Sequence, residues 1–113
     1  MQRYNKGRRG EYLVRDLMTA QGGVVCRSAG SHGKADLVAM WPHATYAVQV
    51  KCSKPSAKEV EEIRAISLQT DARWAIVWVN GTQIEVQCFR RGKPWMILPP
   101  GLTISSVRGT PKW

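Results

Sequence analysis

Apolar and polar positions along the chain predict elements in the order helix, three strands, helix, two strands. Over residues 7–20, Leu13, Val14, Leu17 and Met18 recur at the spacing of one helical stripe, until Gly22-Gly23 ends the pattern. Glu11 lies at the edge of that stripe, from which its side chain can reach over whatever the helix packs on; Asp16 points further away. Val24-Val25-Cys26-Arg27 reads as a short strand, followed by a small-residue loop from Ser28 to Gly33. Asp36 opens the strand Leu37 to Trp41, and Pro42 ends it. Thr45 to Lys51 alternates, with Tyr46, Val48 and Val50 on one face and Ala47, Gln49 and Lys51 on the other. Gln49 and Lys51 therefore emerge on the same side.

Ser56 with Glu59 three residues on is a capping box, opening a helix to about Thr70 with Val60, Ile63 and Ile66 inward. Arg73 to Val79 is apolar on both faces, as in a central strand covered on both sides, and Trp74 and Trp78 belong to the core. Asn80-Gly81 is a two-residue hairpin signal into Thr82 to Phe89, whose Ile84, Val86 and Cys88 share a face. Pro94, Pro99, Pro100 and Gly101 punctuate an irregular basic tail over about 90–113, with room for one more short strand around Trp95 to Leu98.

Composition narrows the class. The chain has 113 residues, 43% of them hydrophobic and 22% charged, which predicts one globular domain over 1–113 rather than a disordered chain. Against 17 Lys+Arg stand 8 Asp+Glu, a formal charge of +9 that favours a polyanion, nucleic acid ahead of an anionic membrane. The longest strongly apolar run, Trp74 to Val79, is far short of the roughly 20 residues that span a bilayer. No apolar stretch follows the first basic residues as in a secretory signal, so the expected compartment is the cytosol, or a host's cytoplasm for a viral chain. Cys26, Cys52 and Cys88 are odd in number and far apart, which predicts reduced, partly buried thiols rather than a disulfide framework or zinc knuckle. Glu59, Glu61 and Glu62 read as a solvated acidic helix face turned away from a nucleic acid, while residues 86–113 contain no acid at all.

Three features converge: an acid on the first helix, an acid opening a strand after a glycine-rich loop, and Gln-x-Lys on the polar face of the adjacent strand. Each alone has a plain reading. Glu11 is then a first-turn acid favoured by the helix dipole, Asp36 a turn residue and Lys51 an edge-strand lysine. Together they suit phosphodiester hydrolysis, which needs hard oxygen ligands for a divalent cation beside the scissile phosphate. Asp36 and Gln49 offer side-chain oxygens, Val50 its carbonyl, and Glu11 reaches in from the helix. Lys51 is placed to position or deprotonate the attacking water and to offset transition-state charge.

The set resembles the PD-(D/E)XK nuclease superfamily and, within it, the archaeal-type Holliday junction resolvases. Lys6-Gly7-Arg8-Arg9-Gly10-Glu11 is similar to that family's basic motif with its helix acid. Arg27 to Ala39 is similar to its serine loop and metal-binding aspartate, and Val48-Gln49-Val50-Lys51 occupies the (D/E)XK position. The likeness covers roughly residues 6–80. It implies an α/β nuclease fold with a mixed central sheet flanked by helices, with Glu11, Asp36 and Gln49 at the metal, Lys51 as catalytic lysine and Ser31 near the scissile phosphate. The implied cofactor is Mg²⁺, with Mn²⁺ able to substitute. The implied partners are branched DNA and a second copy of the chain, a homodimer placing two active sites on opposite strands of a four-way junction. Lys6, Arg8, Arg9, Arg27, Ser31, His32, Lys34 and Lys54 are the candidate DNA contacts, and binding of this kind depends steeply on salt. Gln49 stands where the family's usual residue is an acid; its amide oxygen can ligate but brings no charge, which throws more of the demand on Asp36 and Glu11. The competing readings are another repair or restriction-type nuclease of the same fold, and a non-catalytic binder of branched DNA.

Overall fold

A computed structural model describes the backbone of residues 2–28, 34–80 and 83–102 and, among these, the side chains from Arg9 onward except that of Asn80. Helix α1 (Gln2–Ala20) precedes three strands, β1 (Val24–Arg27), β2 (Leu37–Trp41) and β3 (Ala44–Lys51). Helix α2 (Ala57–Ser67) follows, then β4 (Arg73–Asn80), β5 (Gln83–Arg90) and the two-residue β6 (Lys93–Pro94). The six strands form one sheet in sequence order. All neighbours run antiparallel except β3 and β4, which are parallel. A parallel pair requires a crossover connection, and α2 provides it.

The two helices cover opposite faces. Val14 and Met18 of α1 are buried against Leu37, Val48, Val77 and Val86. Ile63 of α2 is buried with Ile76, Trp78 and Phe89, flanked by Val60 and Trp74. Consecutive residues Ala75, Ile76, Val77 and Trp78 are all buried, as expected of a strand sandwiched between helices. Fully burying an aliphatic side chain contributes about 1.5–3 kcal/mol, so Val14 and Met18 suffice to dock a helix whose own propensity is interrupted by Gly7 and Gly10.

Several boundaries differ from the sequence pattern. α1 begins at Gln2 rather than residue 7, and its buried line is Gly10, Val14 and Met18, while Leu13 is exposed. The i, i+4 line takes the sheet contact, with Gly10 packed over Val50 and Val79 in line with Val14 and Met18. α2 stops at Ser67 with its cap at Leu68, short of Thr70, whose hydroxyl instead accepts from the Trp74 indole at 2.8 Å. Asn80 pairs with Gln83, so the hairpin connection is residues 81–82 rather than Asn80-Gly81. The sixth strand is at Lys93–Pro94, not Trp95 to Leu98, because Arg91 (φ 54°) and Gly92 (φ 79°) turn the chain back at once. Two successive positive φ angles are the signature of the tight hairpin turn that matches strand twist. Cys26 and Cys52 are exposed rather than partly buried; burial pushes the Cys88 thiol up to about 12, which makes it inert.

Residues 95–102 are tied down despite their prolines. The Trp95 amide donates to the Cys88 carbonyl at 2.8 Å, and the Tyr46 hydroxyl donates to the Ile97 carbonyl at 2.8 Å. Pro99 and Leu102 are buried, and Gly101 (φ 98°) lies so close to α1 that an added Cβ would stand 2.3 Å from the Leu17 carbonyl oxygen. Gly101→Ala is therefore expected to cost about 1–3 kcal/mol through strain and collision. Gly10→Ala meets its nearest neighbour, Val50 Cγ1, at an ordinary 3.5 Å and is expected to stabilise by about 0.5–1 kcal/mol through helix propensity. Urea unfolding of the two variants checks both signs.

Candidate functional site

The sheet register assembles the candidate site at one end. Leu37 pairs with Val48, so Asp36 arrives beside the strand end that carries Gln49 and Lys51. The Asp36 amide donates to the Val48 carbonyl at 2.8 Å, and the Val50 amide donates to Asp36 Oδ2 at 2.8 Å. Backbone and side chain of Asp36 are thus both clamped to β3. The Ser28 amide donates to the Asp36 carbonyl at 2.9 Å, which closes the base of the serine loop. Ser31 and His32 themselves lie outside the described residues, as do the side chains of Lys6 and Arg8.

Glu11 enters from the other side. Gly10 packs over Val50 and Val79, which brings the next residue to the sheet end, where Glu11 Oε1 accepts from Arg27 Nε at 2.9 Å. Burial raises the Asp36 pKa above its ordinary value, the Val50 hydrogen bond opposes this, and the negative charge of Glu11 raises it further, while Lys51 and Arg27 pull it down. The negative charge of Glu11 felt at half-buried Asp36 is what a cation would relieve. Among the described residues no three His, Cys, Asp or Glu side chains converge, so the hard donors here are these two carboxylates with the Gln49 amide oxygen and the Val50 carbonyl. That set fits Mg²⁺, which is held by one or two carboxylates and completes its shell with water and substrate phosphate.

Lys51 is held by a residue that sequence reasoning placed elsewhere. The acidic face of α2 is not turned away from the site. Glu59 at the α2 N-terminus accepts from Lys51 Nζ with one carboxylate oxygen and from the Ser56 amide at 2.8 Å with the other. These bonds draw the Glu59 carboxyl down to about 2. Glu62 accepts from Lys34 Nζ at 3.0 Å, and only Glu61 turns to its own helix, pairing with Arg64. The signal was in the sequence: a capping box fixes Glu59 at the first turn of α2, and a connection this short after Lys51 returns that turn to the strand end. Arg9 and Lys54 are exposed near these elements, and no helix among the described residues is long and apolar enough to cross a membrane.

No family model matches the chain, and no curated protein does. Among solved structures, Archaeoglobus fulgidus Hjc, a Holliday junction resolvase from an archaeal hyperthermophile, is similar with a TM-score of 0.53 and 26% identity. The likeness covers 76% of this chain and 73% of that one. The chain has the fold of a Holliday junction resolvase. The mixed sheet with a helix on each face is the PD-(D/E)XK-like arrangement, and on this resolvase fold Asp36, Gln49 and Lys51 share the sheet end reached by Glu11.

Two outcomes follow from these charges. Asp36 has a raised folded-state pKa, so the folded chain holds its proton more tightly than the unfolded chain, and stability falls as pH rises from the ordinary carboxylate value through the raised one. Asp36→Asn, whose amide oxygen can still accept from Val50, is expected to raise the thermal midpoint at neutral pH, read by circular dichroism. Glu59 has the opposite sign: its contribution is present above the unfolded value near 4.5 and lost as pH falls toward 2. Acid titration of Glu59→Gln should lack that component.

Proposed function

We propose that this chain is a Mg²⁺-dependent, structure-selective endonuclease that resolves four-way DNA junctions by paired phosphodiester hydrolysis as a homodimer. The observation that carries the reading is the Asp36 carboxylate, clamped to β3 by the Val50 amide at the sheet end of Gln49, Lys51 and Glu11, on a resolvase fold. Asp36, Gln49 and the Val50 carbonyl would hold the cation, with Glu11 directly or through water. When bound, the cation supplies Lewis acidity and lowers the pKa of its water.

The remaining chemistry belongs to the chain. Lys51 Nζ orients the attacking water and offsets charge that accumulates on the phosphate, and Glu59 restricts that flexible side chain to one position. Arg27 pairs with Glu11 at 2.9 Å and so presents a cation at the same sheet end, placed to meet a substrate phosphate. Arg9, Lys34 and Lys54, with Lys6 and Arg8, extend the basic surface for the DNA arms. Paired cuts on opposite strands require two such sites, hence two copies of the chain.

The test is incubation with labelled four-way junction, flap, linear duplex and single-stranded DNA, with and without Mg²⁺ or Mn²⁺. Cleavage of the junction alone, lost on chelation, is the expected result; Asp36→Asn should bind the junction and leave it uncut. Equal metal-independent binding to linear and branched DNA without cleavage would favour a plain binder. Gln49→Glu restores a charged ligand and is expected to retain or raise cleavage, with a lower Mg²⁺ requirement.

A further inference from the structure

At the far end of the sheet from Asp36, cations line up across three strands. Trp74 pairs with Phe89, which places Arg73 at the start of β4 opposite Arg90 at the end of β5, and Arg90 pairs with Lys93 of β6. The guanidinium carbons of Arg73 and Arg90 lie 5.3 and 5.1 Å from the Trp95 ring centroid, and Arg73 also lies 5.9 Å from that of Tyr46. Both arginines line an open cleft of about 370 Å³ with Trp41, His43, Thr45 and Asp71. Like charges opposite one another on neighbouring strands are destabilising. Nothing among the described residues neutralises these: neither arginine has a carboxylate partner, and Asp71, the acid in the cleft wall, is taken by Arg91. Arg90 Nε is buried without an acceptor, so stacking on Trp95 is the main compensation for its lost hydration.

Two guanidinium groups that share the Trp95 ring and line one concave, partly desolvated cleft call for an anion with several oxygens. Phosphate matches the planar forks of arginine in two-point hydrogen bonds, and a chain of formal charge +9 concentrates polyphosphate at its surface. The cleft is separated from the candidate nuclease site in two ways. From Tyr46 to Gln49, the residue level with Asp36, the strand rises by about 10 Å, and Tyr46 faces α1 whereas Gln49 and Lys51 face α2. A phosphate held in the cleft is therefore not the one at Asp36.

We propose that the Arg73–Arg90 cleft is a second phosphodiester-binding site that holds another arm of a branched substrate and so favours junctions over linear duplex. The proposal rests on the nuclease reading above. Its test compares wild type with Arg73→Gln/Arg90→Gln, folding being checked by thermal melting, for affinity toward a four-way junction and an equally long duplex over a range of salt. The expected result is about a tenfold loss of junction affinity with a salt slope shallower by about one to two. Duplex affinity should change by less than about twofold, and cleavage of saturating junction should be unchanged. Unchanged junction affinity, or equal losses on junction and duplex, would overturn the second-arm role. On wild type alone, pyrophosphate titration followed at the Arg90 Nε–H NMR resonance should shift it, and the absence of a shift overturns the site itself. If wild type neither prefers nor cuts junctions, the nuclease reading fails, while the pyrophosphate titration still decides whether the anion site exists.

Discussion

The candidate site depends on one two-point clamp between Asp36 and β3. The Asp36 amide reaches the Val48 carbonyl and its carboxylate receives the Val50 amide, so this residue extends the β2–β3 ladder by one rung with its own side chain. An unpaired backbone amide at a strand end would otherwise need water or another acceptor. By using the carboxylate for that purpose, the fold fixes an acid within a buried setting while leaving its second oxygen for other duties. Because side chains alternate along β3, the same register that seats Asp36 sends Gln49 and Lys51 to one face and Val48 and Val50 to the core beneath α1. A slip of one residue would exchange those two sets.

Around that clamp the charges are organised in pairs across elements. Arg27 from β1 meets Glu11 from α1, Lys51 from β3 meets Glu59 from α2, and Lys34 meets Glu62. In isolation such half-exposed pairs contribute little to stability. Their effect is positional: each restrains a long side chain that would otherwise sample many rotamers. A basic chain with few acids has placed most of the acids of α1 and α2 within reach of the candidate chemistry, and the net positive surface surrounds them.

Much of this was legible in the residues. Alternation in Tyr46 to Lys51 predicted which side chains share a face, and the run from Arg73 to Val79 predicted a strand covered on both sides, because burial writes directly into apolar pattern. The capping box at Ser56 and Glu59 was legible as a helix start for the same reason: it is a local, four-residue bargain. What escaped was nonlocal. That Glu59 faces Lys51 depends on how α2 docks, and that Arg73 and Arg90 stand side by side depends on strand register after a hairpin; composition and spacing report neither. The buried line of α1 runs through Gly10, Val14 and Met18 and leaves Leu13 to solvent, which depends on how the helix is rotated onto the sheet, and the apolar spacing alone does not report it.

The contact of Gly101 with Leu17 joins the last described turn of the chain to the first helix. Loop closure over so long a stretch is entropically costly and comes late in folding. The segment from Pro99 to Leu102 is buried against α1 although most of the sheet separates the two in sequence. The helix that carries Glu11 is thus seated by the sheet but tightened by a turn far along the chain, and loosening that turn would blur the position of the acid while leaving the strands in place.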